Sequence, residues 1–344
     1  MHSIRIIIIS LFSLSIYAKT LPEIQTKQSL NNIRFLSNDG KFTYFQQNGK
    51  LYLSTNYSSA EILEKENSSY FLLSGSESRK KIIIEEIPNF HRELNYRKKN
   101  IIYTMDFGKT TPIKVTEGTF LSLNLQDSWL NSYDPQEKAI EAKNLNNSKT
   151  VSVKLKNKLN PYFIPQALMR TQDTIFYTDI NDNGFMGLLM YSFYDKKFTS
   201  VYKSKFKAMN LKFCQSGDNL YVGEFSYNGI SNGSAIFKIP FFNNPGFSNI
   251  EQIYSSDLND IGNLLCSKQS LYFIKTLSED KQLNTKKSEV ARLDLKSKKI
   301  TIITDLNYVT NIINMDGNIL IPFRDKYYVA EGKSKLNDDK LNNN

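Results

Sequence analysis

From Ile33 onward the apolar residues of this chain fall in short alternating runs, with no stripe at helical spacing. Clusters of Gly, Asn, Asp and Ser interrupt them every 8–12 residues or so, the rhythm of an all-β chain that keeps turning back on itself. The runs group in fours. The first group reads NIRFLS, FTYFQ, KLYLST and AEILEK, with NDGK and QNG as its first two turns. Comparable groups start at YFIPQALM, at MNLKFC and at GNLLCS, while the spans 68–118 and 118–155 keep four runs with less regular spacing. Each group predicts one four-stranded antiparallel meander.

The two ends of the chain complete the prediction. The last group has only three runs, VTNIINM, NILIPF and YYVAEG. Near the other end, TLPEIQTK (Thr20 to Lys27) precedes the first complete group without a partner of its own. If that segment supplies the missing outer strand, the sheets close into a ring with no free edge. The predicted fold is therefore all-β, a seven-bladed β-propeller of four-stranded antiparallel blades closed by an N-terminal strand. Its turn chemistry is local: Asp39-Gly40, Asn48-Gly49 and Asp316-Gly317 supply the positive φ of tight hairpins.

Within the first group, LSNDGKFTYFQQNGKLYLST resembles the propeller repeat of TolB-type and related WD-like proteins. That repeat has a Ser-Pro-Asp-Gly turn leading into an apolar strand, then a strand ending in Ile/Leu-Tyr. Here Ser37-Asn38-Asp39-Gly40 and Leu51-Tyr52 match it, with Asn in place of Pro; the Leu-Tyr step recurs at Leu220-Tyr221 and Leu271-Tyr272. The resemblance implies a fold. TolB's N-terminal α/β domain has no counterpart between Lys19 and Ile33, so the resemblance does not extend to TolB itself.

The N-terminus adds a location. MHSIR, the apolar IIIISLFSLSIY and Ala18 form the three-part pattern of a secretory signal peptide over residues 1–18. The apolar run is too short to span a bilayer. The expected organisation is signal peptide, propeller over 19–333 and a polar tail over 334–344, in a periplasmic or secreted protein that is not membrane-spanning. Composition agrees with strands, with 20 Tyr and 22 Phe against 15 Gly. The net charge of +10 comes from 44 Lys+Arg against 34 Asp+Glu, but the basic residues are spread along the chain. That distribution, together with export, argues against a nucleic-acid partner.

Alternating turns of a meander send the connections after the second and fourth strands to one face. The longest stretches after second strands are Pro88 to Asn100, Tyr227 to Gly233 and Ser278 to Glu289, and long loops on a rigid scaffold are where binding residues gather. The first carries Phe90, His91, Arg92, Tyr96, Arg97, Lys98 and Lys99, the aromatic and basic mixture of a binding hot spot. In TDINDNG, the spacing of Asp179, Asn181 and Asn183 copies the first half of a calcium loop, although Met190 stands where its closing Glu belongs. An Asn-Gly hairpin turn accounts for the same letters.

GISNG fits the pattern around a nucleophilic serine, but strands flank it and no His follows His91. Cys214 and Cys266, the only cysteines, fall at equivalent places in adjacent groups, where either a disulfide or two buried thiols fits; two Cys and one His after Ala18 do not make up a four-ligand Cys/His zinc site. No cofactor fingerprint appears. These observations point to a monomeric, non-enzymatic binding scaffold for a protein or cell-envelope component. The alternative is a glycan hydrolase or lyase using carboxylates of the central funnel.

Overall fold

The computed structural model describes residues 33–331, except 37–41, 48–49, 55–58, 64–67, 77–79, 89–98, 125–127, 157–162, 172, 206–208, 227–232, 242–246, 248, 257–260, 268, 281–284, 304–308, 310–311, 316–317 and 324–325. The signal peptide, the closing strand expected at Thr20 to Lys27, Asp39-Gly40, Asp316-Gly317 and the polar tail lie outside these residues. Among the described residues there is no helix, and therefore none long and apolar enough to cross a membrane.

The strands form seven antiparallel sheets in chain order, six of four strands and one of three. Sheet one holds β1 (Ile33–Leu36), β2 (Thr43–Gln47), β3 (Lys50–Ser54) and β4 (Ser59–Leu63). Sheet two holds β5 (Ser68–Ser76), β6 (Lys81–Pro88), β7 (Ile101–Asp106) and β8 (Ile113–Glu117). Sheet three holds β9 (Thr119–Asn124), β10 (Trp129–Asp134), β11 (Ala139–Asn144) and β12 (Thr150–Lys154). Sheet four holds β13 (Ala167–Thr171), β14 (Thr174–Ile180), β15 (Met186–Ser192) and β16 (Lys197–Lys203). Sheet five holds β17 (Met209–Ser216), β18 (Asn219–Ser226), β19 (Ser234–Pro240) and β20 (Glu251–Ser256). Sheet six holds β21 (Ile261–Cys266), β22 (Ser270–Asp280), β23 (Thr285–Asp294) and β24 (Ile300–Ile302). Sheet seven holds β25 (Ile313–Met315), β26 (Asn318–Phe323) and β27 (Lys326–Glu331). Each sheet is a simple meander in which consecutive strands pair.

The core lies between sheets. One apolar cluster fills each of the six boundaries from sheets one and two to sheets six and seven. Successive residues of a second strand supply opposite boundaries because side chains alternate along a strand. Ile82 and Ile84 pack with sheet one, whereas Ile83 packs with sheet three. Leu220 and Val222 pack with sheet four, whereas Tyr221 packs with sheet six. The Leu-Tyr step thus serves both neighbouring sheets in sheets five and six. Burial on both faces explains why these strands read as nearly continuous apolar runs. Beyond its own neighbours, β25 also approaches β5 of sheet two.

One connection differs from the sequence reading. Ser278 to Glu289 is mostly strand, since β22 and β23 continue their ladder through Thr276↔Ser288, Ser278↔Lys287 and Asp280↔Thr285. This extension has no apolar alternation, so nothing in its composition signals a strand; the backbone ladder alone carries it outward.

Candidate functional site

Six residues of the expected binding patch, Phe90, His91, Arg92, Tyr96, Arg97 and Lys98, lie outside the described residues. The two ends of their segment are placed: Pro88 closes β6, and Lys99 and Asn100 lead into β7. Between those ends, at the boundary of sheets two and three, opens a cleft of ≈ 390 Å³ lined by Pro88, Lys99, Ile101, Glu117 and Gln136. Its residues come from the end of a second strand, the start of a third and the end of a fourth. All belong to the face that carries the longer connections.

The Lys99 ammonium sits 2.6 Å from Asp134 Oδ2 across the boundary. Asp134 is the last residue of β10, and its Oδ1 also accepts the backbone amides of Gln136 at 2.9 Å and Glu137 at 3.2 Å. The turn after β10 therefore aims the carboxylate, and the ion pair ties that turn to sheet two. Burial pushes the Asp134 carboxyl up, but the Lys99 and amide hydrogen bonds outweigh it and hold the group below its usual range. The hydrogen bond to Asp134 raises Lys99 correspondingly. Glu117 is lowered by a 2.6 Å hydrogen bond from Lys114, while the Asp134 charge works in the opposite direction.

Below this pair lies Glu85, buried and facing sheet three. Its Oε1 accepts Asn100 Nδ2 at 2.9 Å and the Phe120 amide at 3.1 Å. Burial is the dominant influence and raises its carboxyl in spite of those donors. Next to Glu117 of the lining, Gly118 has φ +132, and a Cβ there would meet the Tyr133 carbonyl oxygen of sheet three at 2.8 Å.

Asp179, Asn181 and Asn183 lie at the β14–β15 hairpin. Asp179 accepts the Ile180 amide through Oδ1 and the Lys156 amide, at 3.0 Å, through Oδ2. Asn181 Oδ1 accepts the amides of Asn183 and Phe185, both at 3.0 Å, and Gly184 takes φ +80 in the turn. These contacts are those of a hairpin. Among the described residues no group of three or more His, Cys, Asp or Glu side chains converges as a metal would require. Cys214 and Cys266 form a disulfide between β17 and β21, with Cα atoms 5.6 Å apart. Ser231 of GISNG lies outside the described residues, between β18 and β19.

Glu117, Asp134 and Gln136 did not stand out in the sequence. Asp134 reads there as the opening of an ordinary Asp-Pro turn, and its ion pair joins residues 35 positions apart in different sheets.

The chain matches no protein-family description and no curated protein by sequence. Solved structures do match. The tricorn protease aligns with a TM-score of 0.58 at 12% identity, over 90% of this chain and 34% of its own, so the chain spans about a third of that protein. An oligogalacturonate lyase in complex with manganese aligns with a TM-score of 0.54 at 10% identity, over 92% of this chain and 97% of its own. Weaker matches include the WD40 domain of SCAP from fission yeast, at TM-score 0.45 and 10% identity over 87% and 84% of the two chains, and TolB from Agrobacterium tumefaciens, at 0.38 and 14% over 87% and 88%. At these identities the likeness defines the fold. The protein is an all-β propeller built of antiparallel, mostly four-stranded sheets.

Proposed function

We propose that this propeller is an exported, non-enzymatic scaffold that recognises a protein or cell-envelope partner through the face bearing its longer connections. The observation that carries the reading is the open cleft at the boundary of sheets two and three, directly at the base of segment 89–98. A cleft rim that carries the Lys99–Asp134 ion pair, next to the two described ends of a segment whose sequence is rich in Arg, Lys and aromatic residues, suits partner recognition, where aromatic and Arg anchors dominate affinity. The N-terminal signal pattern supports a partner in the periplasm or outside the cell.

A catalytic reading draws on Asp134 and Glu117 flanking Lys99 and on the oligogalacturonate lyase among the fold neighbours. Hydrolysis by a carboxyl pair needs one member kept protonated as the acid. Both of these groups are held toward the ionised form, so neither supplies that acid.

The deciding experiment compares pull-downs from envelope extracts by the wild-type chain and by a chain in which 89–98 is replaced with two glycines. Specific partners recovered by the wild type and lost by the variant support the proposal. Recovery of the same partners by both overturns it. Release of new reducing ends or unsaturated products from oligogalacturonate would replace it with the catalytic reading.

A further inference from the structure

The second strands of four consecutive sheets share a feature that no single strand reveals. The sixth residue of each is acidic: Glu86 in β6, Asp134 in β10, Asp179 in β14 and Glu224 in β18. All four are buried, at 1%, 4%, 4% and 5% exposure. Each also has the parity of the apolar residues that pack toward the preceding sheet, namely Ile82 and Ile84, Leu130, Ile175 and Tyr177, and Leu220 and Val222. Every one of these carboxylates therefore faces backward into the seam it shares with the sheet before it.

Three of them close that seam by hydrogen bonds. Asp134 takes Lys99 of sheet two, Asp179 takes the Lys156 amide just beyond sheet three, and Glu224 takes the hydroxyls of Tyr202 and Ser204 from the edge of sheet four. Glu86 accepts Ser68 Oγ at 2.8 Å and the Tyr103 hydroxyl at 2.7 Å within its own sheet. A charged acceptor with two or more donors is a strong fastener for a boundary that is otherwise apolar.

Sheet six breaks the series. Its sixth second-strand residue is Lys275, on the parity of Leu271 and Phe273, and it faces sheet five opposite Glu289 of its own sheet. No buried carboxylate crosses that seam among the described residues. Polar contacts at this seam include an exposed Lys298–Glu251 ion pair and the Ser216 hydroxyl donating to the Ser267 carbonyl at 2.8 Å. Exposed ion pairs contribute little. This is the seam that holds the chain's two cysteines, joined across β17 and β21.

We propose that the Cys214–Cys266 bond takes the place of the missing carboxylate fastener and makes the boundary between sheets five and six a redox-dependent seam. Both cysteines are half-buried, which leaves the bond within reach of a reductant. A dithiol supplies two electrons and two protons, leaving Cys214 and Cys266 as thiols and closing itself to a disulfide. The seam then keeps its apolar cluster but loses its covalent tie, while the carboxylate seams are untouched.

The test is hydrogen exchange of the folded protein with and without dithiothreitol at neutral pH, with thiol alkylation to follow the bond. Amides of β17 and β21 should exchange about tenfold or more faster after reduction, with β6, β10 and β14 unchanged. A Cys214→Ala/Cys266→Ala variant should show the same local pattern without dithiol and no response to it. If that variant fails to fold, the comparison on the wild-type chain still decides. Exchange that is unchanged on reduction, exchange that accelerates equally in all sheets, or a bond that opens only on unfolding would each overturn the proposal.

Discussion

Asp134 shows how much one side chain can settle at the residue scale. Its carboxylate caps the turn after β10, neutralises Lys99 and joins two sheets. Its folded pKa lies below the unfolded value of about 3.9, so its contribution is fully present above that pH and drains away as pH falls through the folded value. Asp134→Asn should therefore lower the melting temperature at pH 7 and flatten the acid limb of the stability curve; an unchanged acid limb would count against the ion pair. Lys99→Met leaves the buried carboxylate with amide donors only, and should cost about 1–3 kcal/mol in a denaturant titration. Glu85 has the opposite sign. Burial raises its carboxyl, so the stability tied to its protonated form is present at low pH and lost as pH rises through the folded value. Gly118→Ala, with a backbone at φ +132 and a carbonyl 2.8 Å from the new Cβ, should cost about 1–3 kcal/mol, read as a lower melting temperature.

At the scale of elements, the β14–β15 hairpin separates two readings of the same letters. Asn181 spends its side-chain oxygen on two turn amides, so Asn181→Ala should lose about 0.5–1.5 kcal/mol whether or not calcium is present. A melting temperature that rises with millimolar calcium in the wild type but not in this variant would instead establish a metal role. The meander itself was legible because second strands such as TIFYTDI and NLYVGEFS are apolar on both faces and punctuated by Gly, Asn and Asp. The β22–β23 extension was not legible, because a polar ladder held by backbone hydrogen bonds has no side-chain signature. The cleft was half legible. Its position at the base of 88–100 follows from which connection is long, whereas Lys99 meeting Asp134 depends on the packing of two sheets. The recurring acid was present in the letters throughout, but it becomes visible only when second strands are aligned from their first residue.

For the molecule as a whole, the seams are separate units of stability joined in series. Each has its own apolar cluster, and the fasteners at Asp134 and Glu224 lie two boundaries apart with no shared partner. Independent sites add and coupled ones do not. The double variant Asp134→Asn/Glu224→Gln should therefore lose the sum of the two single losses to within about 0.5 kcal/mol. Lys99→Met/Asp134→Asn, which removes both ends of one contact, should fall short of its sum by about 1 kcal/mol or more. Denaturant melts of the six proteins, with the wild type as reference, measure both. A shortfall in the first pair as large as in the second would mean that loosening one seam already relaxes the others, so that the sheets act as one cooperative body. Additivity would mean that a seam can open alone, which is the property that a redox-dependent boundary between sheets five and six requires.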